Sequence, residues 1–299
     1  MPNRAISGTA FATLLLIALM MGANHVAARI AFNNGVDVAT AVVFRSAVTA
    51  SVIALILASQ RVKISFTARH RRMLPVIGIL IGIQSLCLYS AVARLPVALA
   101  LLAFNTYPIW TALWSWIVYR QRPEKAMLMA MPVILFGLAL ALDVFGAASG
   151  LGASGQWARI GAGVAFALAA AGTFGLALVV TQHEAGDVDG RVRTATTMAT
   201  AGVIALITVG LQGGFHLPQA PAGWGGLVAL TFLYGTAFTI MFTVLPKLGV
   251  VGNSAIMNVE PVFALVLAWL VLGQTIAPVQ VGGALIVVGA VMLLGMRRK

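Results

Sequence analysis

Charge is scarce in this chain. Of 299 residues, 9% are Asp, Glu, Lys or Arg, against roughly 25% in a soluble globular domain. Only seven are acidic, and the single cysteine, Cys87, excludes an intramolecular disulfide. Lysine occurs only at Lys63, Lys125, Lys247 and Lys299, and none closes the glycine-rich loop that cradles nucleotide phosphates. ATP-driven chemistry within the chain is thereby disfavoured. His183-Glu184 starts like a zinc-protease helix, but Asp187 stands where the second histidine belongs. Gly152-Ala153-Ser154-Gly155 fails as a nucleophile elbow because Gln156 occupies the closing glycine position. His25 has no serine and acid near it in sequence. No catalytic residue, metal ligand set or cofactor motif emerges, and the chain reads as non-enzymatic.

Hydrocarbon fills the space that charge leaves. Hydrophobic residues make up 61% of the chain, and the mean hydropathy is +1.00. About 20 apolar residues cross some 30 Å of bilayer core. Spans of that kind are expected at 9–32, 38–59, 73–93, 96–119, 127–145, 158–182, 193–212, 222–246, 250–272 and 277–296. They leave no room for a soluble domain. Thr9 to Ala28 resembles a signal peptide behind Arg4, yet the same element recurs at 158–182, where none could sit. The net charge of +12 does not mark a nucleic-acid surface. With the N-terminus inside, 15 of the 19 basic residues fall in inner loops and tails. That is the bias that orients membrane proteins. Both termini are then cytoplasmic, and the lipid bilayer is the expected large partner.

The second half repeats the first at an offset of 153 residues. Asn105-Thr106-Tyr107-Pro108-Ile109-Trp110 aligns with Asn258-Val259-Glu260-Pro261-Val262-Phe263, and a tryptophan follows each proline by eight residues, at Trp116 and Trp269. Gly22 falls on Gly175, and Gly82 on Gly235. Five spans per half is an odd number, so the halves must cross in opposite senses. Inverted repeats meeting near the midplane are a signature of secondary transporters. The expected organisation is a first repeat at 1–145, a Gly/Ala/Ser-rich linker at 146–157 and a second repeat at 158–299.

Polar groups at membrane depth are the candidate site. An ionised side chain at the bilayer centre costs about 2.5–3.5 kcal/mol on insertion scales, so it faces the bundle interior. Arg45 and Glu260 are the two buried charges. Their depths suit an ion pair with each other, or direct roles in binding and coupling. Pro108 and Pro261 remove helix hydrogen bonds and read as hinges that free the carbonyls of Phe104 and Met257. Asn105 and Asn258 sit beside those carbonyls. Tyr107, Trp110 and Trp114 share a helical face. Tyr107 and Trp110 are too deep for an interfacial belt and read as cavity wall, or else as helix packing. Trp114, Trp116, Trp157, Trp224 and Trp269 read as belt residues. Gln84, Tyr89, Phe104, Tyr234 and Phe238 complete the proposed lining with Met257 and Asn258. Gly78 and Gly82 read as a close helix contact.

These residues carry a resemblance. The run Glu260-Pro261-Val262 leading to Gly273-Gln274, the segment Gln280-x-Gly282-Gly283-Ala284-Leu285-Ile286-x-x-Gly289, and Arg45 in a two-by-five arrangement resemble the EamA type of the drug/metabolite transporter superfamily. The resemblance implies an all-α integral membrane protein: ten transmembrane helices as two inverted five-helix repeats around a central cavity. It implies export of amino acids, other metabolites or drugs across the bacterial inner membrane, with a small molecule as substrate. Gln274 departs from the glutamate of many relatives, and Tyr107 replaces a glutamate before the first-half proline. Asn105-Tyr107-Pro108 and the aromatic lining are most similar to the YddG-type aromatic amino-acid exporters.

Overall fold

The computed structural model describes residues 8–62, 64–122, 125–243 and 259–297, all helix or short connection. Eleven helical segments follow one another: α1 (Gly8–Asn33), α2 (Val38–Ser59), α3 (Ala68–Arg94), α4 (Val97–Phe104), α5 (Tyr107–Tyr119), α6 (Lys125–Ala141), α7 (Gly152–Glu184), α8 (Gly190–Leu211), α9 (Pro221–Thr243), α10 (Glu260–Leu272) and α11 (Pro278–Arg297). Helix is the form that satisfies each backbone N–H and C=O within its own segment, as hydrocarbon surroundings demand. Among the described residues, seven helical units, with α4 and α5 counted as one, are long and apolar enough to span a membrane. Three shorter apolar helices lie at Leu128–Ala141, Glu260–Leu272 and Pro278–Leu293.

Local chemistry sets the ends. The Asp37 carboxylate accepts from Thr40 N at 2.7 Å and starts α2. Thr67 and His70 form a reciprocal cap at the head of α3, and Asp189 accepts from Arg191 N at 2.8 Å at the head of α8. Helices α5 and α10 both stop on a left-handed residue, Arg120 (φ 57°) and Gly273 (φ 63°). Those two stops are 153 residues apart, as are the starts of α5 and α10.

Three expectations change. The span at 96–119 is not continuous: Asn105 and Thr106 form a turn between α4 and α5. Pro108 therefore lies in the first turn of α5, and Pro261 in that of α10. A missing N–H is harmless there, so the break sits ahead of the proline instead of being a kink at it. The helix expected at 127–145 ends at Ala141, because Asp143 turns the chain by accepting from Ala148 N (3.0 Å) and Ser149 N (2.8 Å). Helix α7 begins at Gly152, inside the stretch read as linker. Met257 and Asn258 lie outside the described residues.

Packing obeys the 153-residue offset. Helices α2 and α8 are sequence mates and pack on each other, as do α6 and α11; α1 packs on α9 as its mate α7 packs on α3. Contacts give the sense of α2 and α8. Asp37 and Thr40, at the start of α2, bond His216 beyond the end of α8. Gln60, beyond the end of α2, meets Arg191 at the start of α8. The two mates run antiparallel. So do α6 and α11, where Gln280 Nε2 donates to Ala141 O at 2.8 Å. Two mate glycines make corresponding close contacts. A Cβ on Gly22 would lie 3.1 Å from Ala264 N and Glu260 O, and one on Gly175 would lie 2.8 Å from Thr111 N. Helix α1 thus lies backbone-close against α10, and α7 against α5.

Candidate functional site

Helices α1, α2, α3, α9 and α10 bring a polar cluster together in the interior. Arg45, 3% exposed on α2, is its centre. Its guanidinium carbon lies 4.6 Å from the ring centre of Tyr89 (α3) and 3.9 Å from that of Tyr234 (α9). One Nη donates to Ser85 Oγ at 2.7 Å, and Ser85 Oγ donates in turn to Gln84 Oε1 at 3.3 Å. Desolvated cation–π contacts contribute about 2 kcal/mol each, which makes the buried cation tolerable without neutralising it. No carboxylate lies within ion-pair distance of Arg45 among the described residues.

Glu260 does not pair with Arg45. Its Oε1 lies 3.3 Å from Nε2 of His25 on α1, a consequence of Gly22 seating α1 directly against the first turn of α10. The His25 side chain is 3% exposed and that of Glu260 is 23% exposed, so the carboxylate is the open member of the pair. Tyr89 lies between Arg45 and His25. Its hydroxyl donates to Asn24 Oδ1 at 2.9 Å, and its ring meets His25 edge-on at 5.7 Å while lying beneath Arg45. The Phe238 ring lies tilted by 30° against that of Tyr234, with ring centres 4.4 Å apart.

Several buried polar atoms in this region have no hydrogen-bond partner among the described residues: Asn24 Nδ2, His25 Nδ1, Arg45 Nε, Ser46 Oγ and Thr49 Oγ1. Leaving such an atom unsatisfied costs about 1–3 kcal/mol. A cluster of them marks a place suited to an external polar group.

A second, aromatic cluster occupies the mate position. Tyr107 heads α5 as Glu260 heads α10. Tyr107 contacts Phe104 (5.7 Å) and Phe174 of α7 (5.2 Å). Asn105, 7% exposed, lies in the α4–α5 turn with Nδ2 unpartnered among the described residues. A Cβ on Gly172 would lie 3.6 Å from the Trp110 ring, and one on Gly175 would lie 2.9 Å from Trp110 Cβ, the geometry of helix packing between α5 and α7. Trp114 donates to Gly172 O at 3.0 Å, so it is an interhelical residue and not a belt residue. Trp116, Trp157, Trp224 and Trp269 are exposed. Pro261 borders an apolar groove with Leu102, Ile276 and Val288, away from the polar cluster. Gly78 and Gly82 pack against Thr200 and Ile204 of α8.

Asn24, His25, Ser46, Thr49 and Ser85 were missed from sequence. His25 carried a readable signal, since an ionisable residue at membrane depth is a functional candidate in its own right.

No metal-competent group of His, Cys, Asp and Glu occurs among the described residues. No curated protein matches the chain significantly, whereas fifteen chains of solved structures do. One, described only as the crystal structure of a protein, is 18% identical with a TM-score of 0.61 and covers 97% of this chain and 98% of its own. At that identity the likeness shows the fold alone. The EamA-like transporter family model matches twice, over residues 8–142 and 161–296. The chain is a multi-pass membrane protein that belongs to the EamA-like transporter family, a family of transporters and not of enzymes.

Proposed function

We propose that the protein is a secondary transporter that exports amino acids, hydrophobic and aromatic ones favoured, across the bacterial inner membrane by alternating access. In this reading 1–145 and 158–299 are inverted five-helix repeats joined by 146–157, with a central cavity between them and cytoplasmic termini. The antiparallel packing of α2 on α8 and of α6 on α11 supports the inversion. The YddG-type branch is the proposed placement, on the strength of the aromatic lining.

Arg45 carries the substrate assignment. A guanidinium fixed at membrane depth between two tyrosines, with Nε unpartnered and no carboxylate beside it among the described residues, is complementary to an incoming carboxylate. Glu260, the open acid, suits the substrate ammonium. Tyr234, Phe238 and Tyr89 then face its side chain with Gln84 at the edge, while Phe104, Asn105 and Tyr107 form the facing wall and gate. A neutral sugar derivative or a cationic drug would leave Arg45 uncompensated.

The test is counterflow of labelled phenylalanine and leucine into liposomes holding purified protein. Unlabelled phenylalanine should drive it, and phenylalaninamide, which lacks the carboxylate, should not. A charge-assisted hydrogen bond contributes about 1.5–3 kcal/mol, so Arg45→Gln should weaken apparent affinity by roughly 10- to 100-fold. Equal counterflow by the acid and its amide would refute the assignment.

A further inference from the structure

We infer that His25 and Glu260 form a proton-binding dyad through which proton entry drives substrate out. Three features point there. The pair is made between halves, at the one backbone-close contact that Gly22 permits between α1 and α10. His25 is sealed on one side, with Nδ1 buried and unpartnered among the described residues, while Glu260 is open. Glu260 also occupies the first turn of α10, directly against the face of α1 that carries His25. A dyad that loads and unloads a proton needs such an arrangement: one member exposed to receive it, the other shielded to retain it.

The rest of the cluster supplies the coupling. Among the described residues, the ionisable groups near the dyad are Tyr89 from α3, which meets His25 edge-on, Arg45 from α2 over the Tyr89 ring, and Tyr234 from α9 beside Arg45. Helix α4 contributes none. With Glu260 ionised and His25 neutral, the dyad carries one negative charge and Arg45 one positive. A zwitterion matches that pattern end to end. When a proton binds, at Glu260 Oε1 or on the His25 nitrogen facing it, the dyad becomes neutral overall and no longer compensates the substrate ammonium. Proton and ammonium therefore compete for one negative charge. Exchange follows: the substrate leaves as the proton loads on one side, and the proton departs from the dyad on the other. No bond other than that to the proton is made or broken. Tyr107 and Leu178 hold the mate positions of Glu260 and His25, so the symmetry-related position between the halves has no equivalent carrier and the expected stoichiometry is one proton per substrate.

The test has two arms, and only the second rests on the amino-acid reading. In the first, infrared spectra of purified protein are compared across roughly pH 5–8, where an imidazole changes charge, for wild type, Glu260→Gln and His25→Gln. Wild type should show a proton-dependent carboxyl or imidazole change that both variants lack. Spectra of both variants that superpose on wild type would overturn the dyad. In the second, liposomes with clamped membrane potential receive a gradient of about one pH unit. One-for-one exchange supports about tenfold accumulation at equilibrium. Glu260→Gln should still exchange labelled for unlabelled phenylalanine, at weaker affinity, but its accumulation ratio should fall to one. Undiminished gradient-driven accumulation in Glu260→Gln would overturn the proposal. Wild-type protein that moves no amino acid would instead sink the substrate reading, leaving the infrared arm to decide the dyad. Thermal melts report folding of each variant, and His25→Gln carries both arms if Glu260→Gln does not fold.

Discussion

The mate glycines Gly22 and Gly175 offer the most quantitative check on the packing of the two halves. Replacing a mid-helix glycine with alanine gains about 0.8–1.0 kcal/mol of helix propensity wherever the new methyl meets nothing. Gly282 on α11 is such a place, since a methyl added there would have no atom within 4 Å. Gly282→Ala should stabilise by about that amount. At Gly175 the methyl would meet Thr111 N at 2.8 Å, Trp110 Cβ at 2.9 Å and Trp110 C at 3.0 Å. Two of these are backbone atoms of α5 and cannot rotate away. Overpacking of this kind costs about 1–3 kcal/mol, which outweighs the propensity gain. At Gly22 the nearest backbone atoms are 3.1 Å away, so a shift of a few tenths of an ångström suffices and the two effects nearly cancel. The expected order of stability is Gly282→Ala, then Gly22→Ala, then Gly175→Ala, measured by thermal unfolding in one detergent. Gly22→Ala should nonetheless impair transport, because the atom it displaces is the Glu260 carbonyl. A Gly175→Ala variant as stable as Gly282→Ala would refute the backbone-close contact between α7 and α5.

A reporter active only outside the cell should light up when fused after Asp37, Gly146 or Gly213 and stay dark after Val62 or Gly186; a dark fusion at Gly146 would mean an even number of crossings in the first half and end the inversion. Trp110→Ala removes the half-buried ring that faces Gly172 and should destabilise the protein in thermal melts by less than the about 3–5 kcal/mol of a fully buried tryptophan. Tyr107→Ala should chiefly alter the preference for aromatic substrates, read by counterflow competition, since each aromatic contact contributes about 0.5–1.5 kcal/mol beyond burial. Asp143 is pushed up by desolvation but held below its ordinary value of 3.8 by the N–H groups of Ala148 and Ser149 together with the Ser149 side chain. A carboxylate with a depressed folded-state value stabilises the fold fully above its unfolded value and loses that contribution as pH falls through the folded one. Acid melts should therefore show wild type losing stability below about pH 3.8 more steeply than Asp143→Asn, and parallel curves would count against the turn.

Span positions were legible in the sequence because burial in hydrocarbon is a local property, summed over some 20 consecutive residues. The 153-residue offset was legible for a related reason: helices that do the same work in both halves keep the same stops and the same close-packing glycines, as Gly22 and Gly175 do. Even the break in the fourth span was foreshadowed by Asn105-Thr106-Tyr107-Pro108, although its form, a turn ahead of the proline, was not. Rise along a helix is a fixed distance per residue, and the depth expected from it alone nominated Arg45 and Glu260. Partnership was not legible. Which neighbour a side chain meets depends on the rotation of its helix and on which helices lie beside it. Neither is encoded within a single span. Only the tertiary structure gave Glu260 to His25 and enclosed Arg45 between Tyr89 and Tyr234, because those contacts join helices far apart in the chain. Trp114 makes the same point: composition suited it to an interface, and the proximity of α7 through Gly172 made it an interhelical donor.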